Sequence, residues 1–191
     1  MRLSMPRIDP DNITQFNQSV PELEKTILFW ICAAGKTAKL AARVVEEFLE
    51  HLPKADSPFL QIKDFSHEEI AVRLKWAGMG CSRAKAKTFL DISNSGIDLQ
   101  TCSVVELEAI YGIGPKTSRA FILHSRKNQH FAVLDTHILK YINSLGISAP
   151  KNTPTGKRYL ELERVFLSHI ANSNLSPAEM DLEIWRSYRR A

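Results

Sequence analysis

A chain of 191 residues with 44% hydrophobic content can close a sizeable core, as one domain or as two small lobes. Its 25 Lys+Arg against 21 Asp+Glu leave a net charge of +4, a mild excess that says little until its distribution is known. No apolar run approaches the roughly 18 residues of a membrane span, and the leading MRLSMPRIDPDN lacks an apolar signal-peptide core. Cys32, Cys81 and Cys102 lie far apart without a CxxC pair, which argues against a zinc site or a disulfide framework and fits a reducing compartment, cytoplasmic or nuclear.

In chain order, the pattern predicts helices over about 20–32, 37–51, 67–77, 83–93, 104–110, 115–125, 136–145, 157–171 and 177–189. Apolar residues recur at helical spacing, as in Val44, Val45, Phe48, Leu49 and Leu52. Ser19-x-x-Glu22, Ser66-x-x-Glu69, Ser103-x-x-Glu106 and Ser176-x-x-Glu179 each have the form of a capping box, and Pro115 and Pro177 suit first-turn positions. Connections fall at 53–58, 78–80, 94–98 and 146–156. Alternating strand signals are nearly absent, so the expected fold class is all-α. Trp30 and Trp76 are expected in the core.

Basic charge is gathered in two windows. Residues 70–90 hold Arg73, Lys75, Arg83, Lys85 and Lys87 with no acid, and residues 109–134 hold Lys116, Arg119, Arg126 and Lys127 with none. Such windows are a footprint for a polyanion, or else two solvated helix faces. His124 and His130 border the second and are expected near phosphate. Ala34-Gly35-Lys36-Thr37 has neither the upstream glycine nor the preceding strand of a P-loop and is rejected as one.

The most informative stretch is LEAIYGIGPKTSRAFILHSRKNQHFAVLDTHILK, residues 107–140. Gly112-Ile113-Gly114 makes a tight turn between two short helices, with Ile113 pointing into the gap between them. Amides at the start of the second helix can hold a phosphate, although the same tripeptide also makes ordinary helix corners. Lys116 falls in the first turn, where the helix dipole disfavours its charge; a lysine must be neutral to attack carbon. Asp135 is placed to cap the next helix, a position that would keep it ionised and fixed in direction. Taken singly, these are a phosphate-binding lysine and a structural cap.

Taken together, L-x-x-I-x-G-I-G-P-K-T followed by V-L-D-T-H-I-L-K resembles the helix-hairpin-helix DNA glycosylases, the superfamily of endonuclease III and 8-oxoguanine DNA glycosylase. Residues 78–87, GMGCSRAKAK, resemble the G-x-x-x-x-K-A element before that family's hairpin, and matching elements run through most of residues 22–145. The resemblance implies two helical lobes around a DNA-binding cleft within one domain, 1–191. Residues 1–35 and about 146–191 would form one lobe and about 36–145, with the hairpin, the other.

It makes Lys116 the Schiff-base lysine and Asp135 the essential carboxylate of a bifunctional glycosylase and abasic-site lyase of base excision repair. Gly112, Ile113, Gly114, Lys85, Lys87 and Arg119 would contact DNA phosphates, and Lys36 or Thr37 would fill the gap left by the flipped base. No cysteine follows Cys102, so the iron–sulfur cluster of endonuclease III is not expected and no cofactor is implied, although the family allows a monovalent cation at the hairpin. EMDLEIW, residues 179–185, resembles the last helix of the compact prokaryotic and archaeal 8-oxoguanine enzymes. That likeness makes Asp181 and Trp185, with Trp30, candidate readers of the base; a solvated acid and a core tryptophan are the plain alternative. The expected partner is double-stranded DNA carrying a damaged base, met by a monomer with no membrane association. The expected base is 8-oxoguanine. The same chemistry on an oxidised pyrimidine or another modified base, or a hairpin module without catalysis, are the other readings.

Overall fold

A computed structural model describes residues 5–52 and 57–189. Among the described residues every regular element is helical: a 3-10 turn at Pro10–Asn12, then α1 (Val20–Ala33), α2 (Ala38–Glu50), α3 (Pro58–Lys63), α4 (His67–Trp76), α5 (Ser82–Asn94), α6 (Val104–Glu108), α7 (Pro115–Ser125), α8 (Thr136–Ser144), α9 (Gly156–Ile170) and α10 (Pro177–Arg189). No helix among them is long and apolar enough to cross a membrane.

The starts follow the sequence codes. At Ser66, Ser103 and Ser176 the glutamate three residues on accepts the serine amide at 2.8 Å, and the serine hydroxyl accepts the glutamate's own amide. One helix, α3, was not expected. Its six residues are too short to show a hydrophobic period, and its start is held from outside: buried Glu24 of α1 accepts the Ser57 hydroxyl at 2.6 Å and the Phe59 amide at 3.1 Å. That places a carboxylate on orphan amides. The expected connection at 53–58 is thus partly this helix; residues 53–56 lie outside the described ones.

The chain packs as two units, residues up to Ile13 with 17–113, and Thr14–Phe16 with 114–191. This differs from the grouping implied by the resemblance, which joined 1–35 to 146–191. In the first unit α1 is buried along its whole length from Leu23 to Ala33, which is the mark of a central helix rather than an amphipathic one. It packs on α2 and α3, and α4 lies along α5. Phe48 and Phe89 meet edge-on at 5.5 Å. Inside α1, Lys25 is answered by Glu46 at 2.8 Å and by the Pro6 carbonyl at 2.8 Å, so its charge is buried with partners.

The second unit is built on one apolar cluster: Ala132 and Leu134, then Ile138, Leu139 and Ile142 of α8, Tyr159, Leu162, Phe166, Leu167 and Ile170 of α9, and Ile184 of α10. Residues 131–134 cross this cluster without regular structure, which would orphan their backbone groups. Side chains of α9 supply the partners. Tyr159 donates its hydroxyl to the Ala132 carbonyl at 2.7 Å and accepts the Leu134 amide at 3.2 Å, while Glu163 accepts the Ala132 amide at 3.0 Å. Burial pushes the Tyr159 phenol well above its ordinary range, which keeps the proton it donates. Thr153 donates to the Leu134 carbonyl at 2.8 Å. The segment leading to Asp135 is therefore fixed by four hydrogen bonds from three side chains.

Candidate active site

Asp135 is the N-cap of α8. Its Oδ1 accepts the amides of His137 at 2.8 Å and Ile138 at 2.9 Å, as the pattern D-T-H-I leads one to expect. Its own amide donates to the Val133 carbonyl at 2.6 Å, a tight turn that ends the extended segment. The carboxylate is thus set in direction on both sides of its Cα.

Lys116 is the second residue of α7 and is partly buried in the same unit. Burial pushes its ammonium below the ordinary lysine value; the carboxylates of Asp135 and, less strongly, Asp181 pull it back. Desolvation therefore lowers it in the same direction as the helix dipole invoked from sequence. Asp135 moves the opposite way. Burial first, and then the Asp181 carboxylate, raise it above the ordinary aspartate value, against the Ile138 amide, Lys116 and His137. The expectation that capping alone would keep it readily ionised needs that correction.

The chemical consequence is convergence. Free lysine and aspartate lie about 6.5 pKa units apart, so moving a proton from ammonium to carboxylate costs about 9 kcal/mol in water. Lowering one and raising the other narrows that gap, and a neutral amine beside a proton-accepting carboxyl becomes accessible.

Before α7, the turn divides its labour by residue. Gly112 has φ +80°, and a Cβ there would overlap Thr88 Oγ1 of α5, so both backbone and space demand glycine. Ile113 is buried and its amide donates to the Ile110 carbonyl at 3.1 Å. Gly114, the N-cap of α7, is extended with nothing near its Cβ position, so the turn itself does not require glycine there. Lys87 is exposed, pairs with Asp91 at 2.7 Å and lies 4.8 Å over the Tyr111 ring beside the turn.

Several expected contacts are corrected. Lys85 is 8% exposed and donates to the carbonyls of Ile31 at 2.6 Å and Ala34 at 3.3 Å, closing the end of α1. Its charge also faces Cys32, whose thiol burial pushes up to about 12. Arg119 is also buried; its Nε donates to Glu163 at 2.9 Å and its guanidinium lies 4.6 Å over the Tyr159 ring. Neither side chain is presented to a phosphate. Trp30 is buried and packs against Phe29 at 4.9 Å in a T-shaped pair, whereas Trp76, expected in the core, is 84% exposed. His124 is wholly buried rather than near phosphate. The basic windows are weaker in space than in sequence, since Arg83 pairs with Glu68 and Lys87 with Asp91, two acids just outside the first window.

On α10, Asp181 is buried and bonded to His124, while half-buried Trp185 meets the His137 ring edge-on at 6.5 Å. Asp181 and Trp185 share a face one turn apart. Sequence reasoning missed His124 as a site neighbour. A histidine eight residues after Lys116, two turns on along the same helix, was the available signal.

The family described as 8-oxoguanine DNA glycosylase matches residues 11–175. The 8-oxoguanine DNA glycosylase/AP lyase of Methanocaldococcus jannaschii is 29% identical over 180 residues, covering 88% of this chain and 81% of that one. The protein of the same description from Picrophilus torridus is 35% identical over a shorter stretch of 79 residues, which spans 41% of this chain and 37% of that one. Among solved structures, the M. jannaschii 8-oxoguanine glycosylase/lyase in complex with 15mer DNA containing 8-oxoguanine superposes with a TM-score of 0.71 at 26% identity, covering 94% of this chain and 88% of that one. The Thermotoga maritima 8-oxoguanine DNA glycosylase shares the fold at a TM-score of 0.73 and 21% identity, over 95% of this chain and 87% of that one. The hairpin-to-Asp135 motif, the helical architecture and these matches agree: the chain belongs to the 8-oxoguanine DNA glycosylase family.

Proposed function

We propose that this protein is a bifunctional DNA glycosylase and abasic-site lyase that removes 8-oxoguanine from double-stranded DNA, with Lys116 as nucleophile and Asp135 as its carboxylate partner. The observation that carries the reading is the Lys116–Asp135 pair itself. A lysine lowered by burial faces a carboxyl raised by burial and held by two amide hydrogen bonds.

The base is flipped out of the stack to reach the site. Asp135 takes a proton from the Lys116 ammonium and passes it to the departing base, and the carboxylate so restored supports positive charge on the sugar. The Lys116 Nζ forms a bond to C1′ while the glycosidic bond breaks, its electron pair leaving with the base, which takes up a proton. As the sugar ring opens at C1′–O4′, one proton passes from the Lys116 nitrogen to O4′, which leaves a hydroxyl and a protonated imine. Loss of a C2′ proton expels the 3′ phosphate. The imine is formed by the chain's own lysine, so the chemistry calls for no cofactor. The first-turn amides of α7 and Lys87 are assigned to backbone phosphates. A monomer is the state this reading expects.

An excision panel with borohydride trapping tests this: duplexes carrying 8-oxoguanine, oxidised pyrimidines, uracil, alkylated bases or an abasic site. The reading expects a covalent adduct and strand cleavage, fastest with 8-oxoguanine. Preference for another base changes the substrate, and absence of any adduct leaves a binding module.

A further inference from the structure

The interior of the second unit holds a chain of polar groups that this chemistry leaves unused. His124, two turns after Lys116 on α7, is 0% exposed. Its Nδ1 lies 2.7 Å from the Thr14 hydroxyl and its Nε2 lies 3.1 Å from Asp181 Oδ2. The His124 carbonyl also accepts the Gln15 amide at 2.9 Å, so the short segment Thr14–Phe16 is tied to this unit at the same residue. With the ring proton at Nε2, both neighbours are answered at once: Nε2–H donates to Asp181 and Nδ1 accepts from the Thr14 hydroxyl. Burying such a set is costly unless its members are matched, and here each partner has its complement.

The carboxylate at the end of this chain lies within electrostatic reach of the proposed nucleophile. Asp181 acts electrostatically on Lys116, on Asp135 and on Tyr159. From the packed elements, the charged and titratable groups around this centre are Asp135 and His137 at the start of α8, Tyr159 and Glu163 of α9, Arg119 of α7 and Asp181 of α10. A base-reading carboxylate would present its oxygens to the flipped base. This one is 9% exposed and gives one oxygen to an internal imidazole.

We propose that Thr14, His124 and Asp181 form a buried relay that fixes the Asp181 carboxylate as a second anion for the cationic Lys116 imine, rather than as a reader of the flipped base. Thr14 and His124 are positioning residues that act through Asp181. The proposal rests on the glycosylase/lyase reading above. The Nε2–H hydrogen bond holds the Asp181 carboxylate in place, so losing that bond lets the carboxylate turn away and takes negative charge from beside Lys116. The amine then deprotonates at lower pH, and the imine loses stabilisation.

Single-turnover borohydride trapping as a function of pH tests this, on one duplex carrying 8-oxoguanine and one carrying an abasic site, which has no base to read. Asp181→Asn and His124→Leu are expected to move the rising limb of the profile to lower pH, by about one unit, and to lower adduct yield on both duplexes alike. His124→Gln, whose side-chain N–H reaches the same place as Nε2, is expected to follow the wild type. Should His124→Leu fail to fold, the near-isosteric Asp181→Asn carries the test, with thermal unfolding run in parallel. A defect confined to the 8-oxoguanine duplex overturns the relay in favour of base reading. An unmoved pH profile with lowered stability overturns it in favour of a structural network. Wild type that forms no adduct on either duplex overturns the enzymatic reading itself, and that separates the two failures.

Discussion

Arg119 and Glu163 are joined at 2.9 Å, and the same glutamate oxygen accepts the Ala132 amide at 3.0 Å. One buried ion pair therefore ties the helix that carries Lys116 to the segment that delivers Asp135. Breaking such a pair from one side leaves an unanswered charge and typically costs about 3–5 kcal/mol. Glu163→Gln and Arg119→Met should each lower stability by an amount of this order in urea unfolding. The double variant should lose less than the sum of the two. A phosphate-binding Arg119 would show the reverse, with stability kept and the salt dependence of DNA binding reduced.

Asp135 is both a cap and the proposed catalytic carboxylate, and one substitution separates these roles. Asparagine caps a helix about as well as aspartate, so Asp135→Asn should change stability by only a few tenths of a kcal/mol. It cannot accept the Lys116 proton, so adduct formation should fall by about 100-fold or more while DNA binding persists. Parallel losses of rate and stability would mark a structural cap.

The rate should also depend on pH in a fixed sense. Lys116 is lowered and Asp135 raised, and the reactive form has the amine neutral and the carboxyl ionised. Acid removes both conditions, so trapping should rise with pH and level off well below the range where free lysine titrates. A profile rising only in that alkaline range would contradict the burial of Lys116.

The two glycines of the turn make different demands. Gly112→Ala meets both a positive φ and Thr88, and should cost about 1–3 kcal/mol. Gly114→Ala meets neither and should fold normally. Loss of DNA affinity in Gly114→Ala alone would then report close approach of a phosphate to that backbone.

Lys85 and Lys87 stand two residues apart and should behave differently. Lys87→Ala should reduce the salt slope of DNA binding by about 1. Lys85→Met removes the group holding the Ile31 and Ala34 carbonyls and should lower stability without changing that slope. Salt titrations of both variants decide it.

The contrast between Lys85 and Lys87 also shows where sequence reading stops. Capping boxes, helix periods and the hairpin-to-Asp135 spacing are local, and they appear in the structure within a residue or two of where the sequence places them. Whether a basic side chain reaches solvent or a neighbouring carbonyl depends on residues far along the chain: Ile31 for Lys85, Glu163 for Arg119. The same holds for His124, whose partners Thr14 and Asp181 lie 110 and 57 positions away. α3 escaped because its start is stabilised by Glu24, 33 residues earlier than the Ser57 it holds. Lys116 and Asp135 were legible because a helix first turn and an N-cap are local positions. The direction in which burial moves their proton affinities is not.

Lys116 as nucleophile is tested most directly by trapping the protein on 8-oxoguanine DNA with borohydride and mapping the modified residue by peptide mass. A single adduct on Lys116, lost in Lys116→Gln, is expected. An adduct on another lysine, or one that persists in Lys116→Gln, would contradict it.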